Sequence, residues 1–166
     1  TWCEKRDGSK YEPNLLDNKN LQEMTLVTSK NHGNETLKRL IQKINFRKVE
    51  IMGSIGCKIA SILRGESDIY ICLSLPGQNS PKDWDFSAPE AILKAAGGRI
   101  TNLDNIDLSY GDLDLQQKGI IVATSCSETH EKVCFEIKEA PARSIVISPG
   151  LRTLVPSPVP IFKLIT

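Results

Sequence analysis

From Thr25 onward the apolar positions alternate between strand-like and helix-like spacing. Thr25 to Ser29 is a β-type run that ends at the turn signal Asn31-His32-Gly33-Asn34. Glu35 to Ile44 reads as a helix carrying Leu37, Leu40, Ile41 and Ile44, and Arg47 to Ile51 as a short strand. Gly53-Ser54-Ile55-Gly56 opens a second helix, with Ile55, Ile59, Ile62 and Leu63 at i, i+4, i+7 and i+8 and Gly65 at its close. Ser67 to Leu75 is a strand with Ile69, Ile71 and Leu73 on one face, followed by a loop from Pro76 to Asp83. The third helix runs to Ala96. Its start is read at Ser87-Ala88-Pro89-Glu90, a capping box with proline in the first turn. Ala88, Ala91, Ile92 and Ala95 form a narrow face of small residues, suited to close approach to a sheet. Gly97-Gly98 ends this helix, Arg99–Thr101 and Gly119–Thr124 are strands, and Thr129–Lys138 is a last helix. This order predicts an α/β layered domain.

The flanks differ from this centre. Residues 1–24 are polar and turn-rich, with one strand near Trp2, and read as the remnant of a preceding region. Residues 25–139 form the predicted domain. The tail, residues 140–166, holds five of the nine prolines and no acidic residue, and reads as a linker, a non-native extension or a disordered end.

Composition narrows the classes. A length of 166 residues, 40% apolar and 25% charged, suits one soluble domain. A formal net charge of +1 gives no global attraction to nucleic acid or to an anionic membrane. No apolar run approaches the ~20 residues of a membrane helix. Cys3, Cys57, Cys72, Cys126 and Cys134 are odd in number and lack C-x-x-C spacing. That argues against zinc and against a disulfide framework, and for reduced thiols in a cytoplasmic protein. The chain begins at Thr1 without a visible signal peptide, which reads as a fragment or a processed product.

Several residues carry candidate chemistry. Asp85 of Trp84-Asp85-Phe86-Ser87-Ala88 is either a helix cap or a ligand for a hard cation such as magnesium, and one carboxylate alone cannot make such a site. Small residues at the start of the second helix leave backbone N–H groups open to an anion, and Lys58 lies one turn after Ser54. A phosphate held by the helix N-terminus, the Ser54 hydroxyl and the Lys58 ammonium is one reading. A glycine-containing cap with a solvated lysine is the other. His32 sits in a turn, three residues after Ser29. His130, within Glu128-Thr129-His130-Glu131-Lys132, reads as a surface residue, and Asp104, Asp107, Asp112 and Asp114 as solvated loop acids without the pattern of a calcium loop.

The order of these pieces carries a resemblance. Gly53-Ser54-x-Gly56-x-Lys58, Gly65-x-x-Asp68-x-Tyr70, Trp84-Asp85-x-x-Ala88-Pro89-Glu90-x-Ile92-Leu93 and Gly97-Gly98-x-Ile100-Thr101 resemble the second half of the inositol monophosphatase superfamily. Ala-Pro-Glu-x-Ile-Leu and Ser29-x-x-His32 are most similar to the 3'(2'),5'-bisphosphate nucleotidases within it. The resemblance implies a mixed β-sheet flanked by helices, as in the second domain of that sugar-phosphatase fold. It implies magnesium-dependent hydrolysis of the 3'-phosphate of 3'-phosphoadenosine 5'-phosphate, giving AMP and phosphate. Alternatives are an inositol-phosphate or fructose-bisphosphate phosphatase, or an inactive nucleotide-binding or structural half. By position, Asp85 matches the metal aspartate, and Ser29, His32, Ser54 and Lys58 match residues that contact a small phosphorylated nucleotide. The metal glutamate and the Asp-Pro-x-Asp-Gly-Thr-type motif of the family's first half are missing, and Cys72 stands where some relatives have arginine. The chain alone is therefore expected to be inactive. It would need the missing N-terminal domain or a partner chain, and would expose an apolar patch where that domain packs.

Overall fold

The computed structural model describes residues 2–13, 19–29, 35–75 and 80–140. In chain order the elements are β1 (Cys3–Glu4), β2 (Lys10–Tyr11), a 3-10 turn (Leu21–Glu23), β3 (Thr25–Ser29), α1 (Glu35–Ile44), β4 (Lys48–Met52), α2 (Ile55–Leu63), β5 (Ile69–Ser74), α3 (Asp83–Ala95), β6 (Arg99–Asn102), β7 (Gly119–Thr124) and α4 (Ser127–Glu139). β1 and β2 form a small antiparallel pair. The remaining five strands form one mixed sheet in the order β4-β3-β5-β7-β6. β3 runs parallel to β4 and β5, whereas β7 is antiparallel to β5 and β6. The α/β class and the helix-flanked mixed sheet follow the sequence expectation.

Alternation along β5 explains the two layers. Ile69, Ile71 and Leu73 join Leu37, Leu40 and Ile44 of α1 and Val133, Cys134 and Ile137 of α4 in one core. Tyr70 and Cys72 join Ile59 and Ile62 of α2 and Phe86 and Leu93 of α3 in the other. All six residues of β5 are buried, as in a strand covered on both faces. Asp68 ties this strand to its neighbour: its Oδ2 accepts the Thr25 N–H at 2.7 Å, and its Oδ1 meets the Lys19 ammonium at 2.8 Å.

Three expectations are corrected. Helix α3 begins at Asp83, four residues before Ser87. Asp85, in its first turn, accepts the Lys82 N–H through Oδ2 at 2.8 Å, so the cap is made here rather than by Ser87. Pro89 consequently lies inside the helix, where it has no N–H to give the carbonyl one turn back. Secondly, the small face is turned away from the sheet. Phe86, Glu90 and Leu93 are the buried residues of α3, while Ala88, Ala91, Ile92 and Ala95 are exposed. Thirdly, His130 is not a surface residue. It is fully buried between α4 and the sheet, with Thr101 Oγ1 and Thr124 Oγ1 each 2.7 Å from a ring nitrogen.

The glycine pair after α3 has a steric reason. Gly97 takes φ +97°, which ends the helix. A Cβ on Gly98 would lie 2.6 Å from Leu93 Cδ1 and 2.7 Å from the Thr124 carbonyl oxygen. β6 can therefore pass this close to α3 and β7 only without a side chain there. Among the described residues no helix is long and apolar enough to cross a membrane.

Candidate functional site

The carboxyl ends of parallel strands in an α/β sheet leave a crevice that helix N-termini face. Here β3 ends at Ser29, and the connection after β4 turns through Gly53 into α2. The first turn of α3 closes the other side. A cleft of about 340 Å³ results, lined by residues that include Ser29, Ser54, Lys58, Tyr70, Lys82 and Asp85. This volume suits a small organic ligand. Four of the five residues singled out in the sequence thus share one cleft: Ser29, Ser54, Lys58 and Asp85. His32 lies outside the described residues, as does the tail beyond Ala140.

Ser54 is the N-cap of α2, and its Oγ accepts the Cys57 N–H at 3.1 Å. Its hydroxyl proton is then left to donate outward. With the Cys57 N–H taken by this cap, the Ile55 and Gly56 N–H groups are the first-turn donors with no carbonyl partner within the helix. Together they make a corner whose donors could accept an anion, with the positive end of the helix dipole behind it.

Lys58 is the unusual member. The solvated-lysine reading fails, because the residue is only 1% exposed. Its Nζ donates to the Gly53 carbonyl at 2.6 Å and lies 5.4 Å from the centre of the Tyr70 ring. Among the described residues no carboxylate pairs with it. Burial lowers its pKa from the ordinary lysine value, with the nearby Cys72 and Cys57 thiols opposing. The neighbours respond to the same burial. The Tyr70 phenol is pushed well above its usual range, and the Cys72 thiol up to about 11. An ammonium buried without a counter-charge costs free energy that a bound anion recovers.

Asp85 is half-buried and spends one carboxylate oxygen on the Lys82 N–H. Among the described residues no hydrogen bond or ion pair takes the other, which belongs to the cleft lining. Magnesium takes several oxygen ligands in near-octahedral geometry. Among the described residues no group of three or more His, Cys, Asp or Glu side chains could hold a metal ion. These residues do not by themselves fit a magnesium site, and Asp85 can contribute only one ligand to it.

Three of the four loop acids meet cations. Asp104 pairs with Lys138, Asp107 faces Lys94 and Arg99, and Asp114 pairs with Lys118. Asp83 and Glu90 hold the same excursion onto α3. Asp83 accepts Gly111 N–H and Gln117 Nε2, both at 2.7 Å, and Glu90 binds the Tyr110 hydroxyl. That excursion shapes the cleft wall, since the Lys82 ammonium donates to the Asp114 carbonyl at 3.1 Å. Lys82 and Tyr70 were not foreseen as cleft residues. Tyr70 stood in a quoted motif without a role, and Lys82 has no local pattern to mark it.

A profile described as the inositol monophosphatase family matches residues 4–142. The 3'(2'),5'-bisphosphate nucleotidase CysQ of Buchnera aphidicola is 35% identical over 109 residues, covering 66% of this chain and 38% of that protein. The 3'(2'),5'-bisphosphate nucleotidase 1 of Mus musculus is 34% identical over 85 residues, covering 51% of this chain and 26% of that protein. In fold, the chain is similar to the inositol monophosphatase II of Staphylococcus aureus, with a TM-score of 0.58 at 19% identity over 89% of this chain and 55% of that one. This chain therefore spans well under half the length of the two curated relatives.

Proposed function

The chain belongs to the inositol monophosphatase family, and we propose that within it the cleft is the nucleotide-holding part of a magnesium-dependent phosphatase. The proposed substrate is 3'-phosphoadenosine 5'-phosphate, hydrolysed at the 3'-phosphate to AMP and phosphate. The buried Lys58 ammonium, without a carboxylate partner among the described residues and set beside the α2 N-terminus, carries this reading. It supplies a fixed positive site of the kind that phosphate oxygens complete. Bisphosphate nucleotidases among the similar proteins favour a phosphorylated nucleoside over a phosphorylated inositol.

Each residue has a distinct proposed task. Lys58 and the N–H groups of Ile55 and Gly56 at the start of α2 neutralise and orient a phosphate. Ser54 donates its hydroxyl proton to the same group, Ser29 bounds the nucleoside side, and His32 is assigned to the nucleotide by its position in the family's motif alone. Lys82 adds a second positive charge to the cleft, and among the described residues that line it Asp85 is the single carboxylate. Asp85 offers one oxygen toward a magnesium ion. The chemistry such an ion supplies when bound is polarisation of the scissile phosphate and activation of water. Since one carboxylate does not complete the ion's coordination, the 166-residue chain on its own is proposed to bind nucleotide without hydrolysing it.

A phosphate-release assay tests this. The purified chain with magnesium and 3'-phosphoadenosine 5'-phosphate should release no phosphate beyond the level of an Asp85→Ala variant. Turnover that depends on Asp85 would defeat the half-site reading. Tighter binding of inositol 1-phosphate than of the nucleotide would move the substrate to the inositol class.

A further inference from the structure

Among the described residues Tyr70 is the largest side chain to be fully buried, 1% exposed, and yet it lines the cleft. Its place follows from strand register. Tyr70 pairs with Val27 across the parallel β3–β5 ladder, and side chains alternate along a strand, so Ser29, Tyr70 and Cys72 stand on one face. The Tyr70 hydroxyl is hydrogen-bonded to Ser29 and to the Cys72 thiol. Cys72 is itself held by a backbone hydrogen bond at Ile121. The hydroxyl is thereby fixed from the sheet, and Ser29 is fixed through it. The ring reaches the other wall, where Lys58 Nζ lies 5.4 Å from its centre. One side chain thus touches both the β3 hydroxyl and the α2 ammonium that the cleft offers.

The ring does for Lys58 what a carboxylate could not. A buried ammonium has three protons to place, and the Gly53 carbonyl takes one. Among the described residues no other hydrogen bond takes the rest. A carboxylate set there would attract the charge but would compete with an incoming anion for the remaining N–H groups. An aromatic face attracts a desolvated cation through its quadrupole and leaves those N–H groups free. We propose that Tyr70 is a positioning residue of this cleft: its ring holds the Lys58 ammonium in place with N–H groups left for a phosphate, and its hydroxyl holds Ser29 at the nucleoside. The ring half needs only an anion in the cleft; the hydroxyl half rests on the nucleotide reading above.

Titrations of the full chain separate the two halves, with inorganic phosphate followed by phosphorus NMR and 3'-phosphoadenosine 5'-phosphate by calorimetry, both without magnesium. Tyr70→Phe keeps the ring and loses the hydroxyl. It should bind phosphate within about twofold of the native chain, and the nucleotide about three- to tenfold more weakly. Tyr70→Leu loses the ring as well, and phosphate binding should then fall by about threefold or more. Circular dichroism and urea unfolding establish that each variant is folded. A residue that merely fills the core would shift both ligands together in both variants. That result overturns the proposal, as does native phosphate affinity in Tyr70→Leu. Should Tyr70→Leu not fold, Tyr70→Phe decides, and nucleotide affinity equal to the native chain's overturns the proposal. A native chain that binds phosphate but no nucleotide refutes the nucleotide reading and the hydroxyl half with it; the phosphate series then decides the ring half. Binding of neither ligand by the native chain overturns both.

Discussion

Lowering the pH from 7.5 to 4.5 should destabilise this domain through His130. The ring is fully buried, between Thr101 Oγ1 at Nε2 and Thr124 Oγ1 at Nδ1, with Cys134 Sγ 3.5 Å from Nε2. Hydrogen bonding alone does not forbid a charged ring. Both hydroxyls can donate to carbonyls, Thr101 to Asn102 and Thr124 to Cys126, and so accept from both ring nitrogens. Burial decides the matter, with Arg99 adding repulsion and Asp107 opposing it, and lowers the pKa from 6.5 to about 4. The unfolded ring binds its proton near pH 6.5 and the folded ring only near 4, so the unfolded state gains protons first as pH falls. The contribution is complete above pH 6.5 and is lost progressively down to about 4. At 1.36 kcal/mol per unit, the loss is about 3 kcal/mol, a large share of a domain's usual 5–15 kcal/mol. Urea unfolding at several pH values, for the native chain and His130→Gln, measures it. Carboxylates titrate in both, so the difference isolates the imidazole. Parallel stability curves between pH 7 and 4.5 would refute the reasoning, as would an NMR titration placing the ring pKa at or above 6.5.

Two further outcomes follow from the packing of α3. Gly98→Ala forces a Cβ to within 2.7 Å of the Thr124 carbonyl, and thermal melts should show a loss of about 1–3 kcal/mol; an unchanged melting temperature would contradict the steric account. Asp85→Asn keeps an oxygen for the Lys82 N–H and should leave stability nearly intact, whereas Asp85→Ala should cost about 1 kcal/mol; equal losses in urea melts would show that the cap is not what Asp85 contributes.

The strands and helices were legible in the sequence because each buries a strong period. Ile69, Ile71 and Leu73 fixed the face of β5, and Ile55, Ile59, Ile62 and Leu63 that of α2. What local pattern could not show was direction in space. The alanines of α3 read as a sheet-facing stripe, yet a period of 3.6 does not say which of two apolar faces meets the core, and Phe86 with Leu93 takes that place. His130 read as exposed because Glu128, Glu131 and Lys132 surround it in sequence, while its partners Thr101 and Thr124 come from two distant strands. The start of α3 was misread for a related reason: the cap bond runs from Lys82 to Asp85, and Ser87-x-x-Glu90 imitates it one turn later. The cleft was partly legible. Ser54 and Lys58 share a helix turn, so their proximity is local; their meeting with Asp85 depends on packing of α2 against α3.

Calorimetric titration of the chain with 3'-phosphoadenosine 5'-phosphate, for the native protein and Lys58→Met, tests the central claim most directly. Replacing a buried ammonium that no described carboxylate pairs with by an apolar side chain of similar length should leave the fold intact or firmer. Saturable binding at one site per chain, weakened by about tenfold or more in the variant, is the result the account predicts. No binding by the native chain, or equal binding by the two, would contradict it.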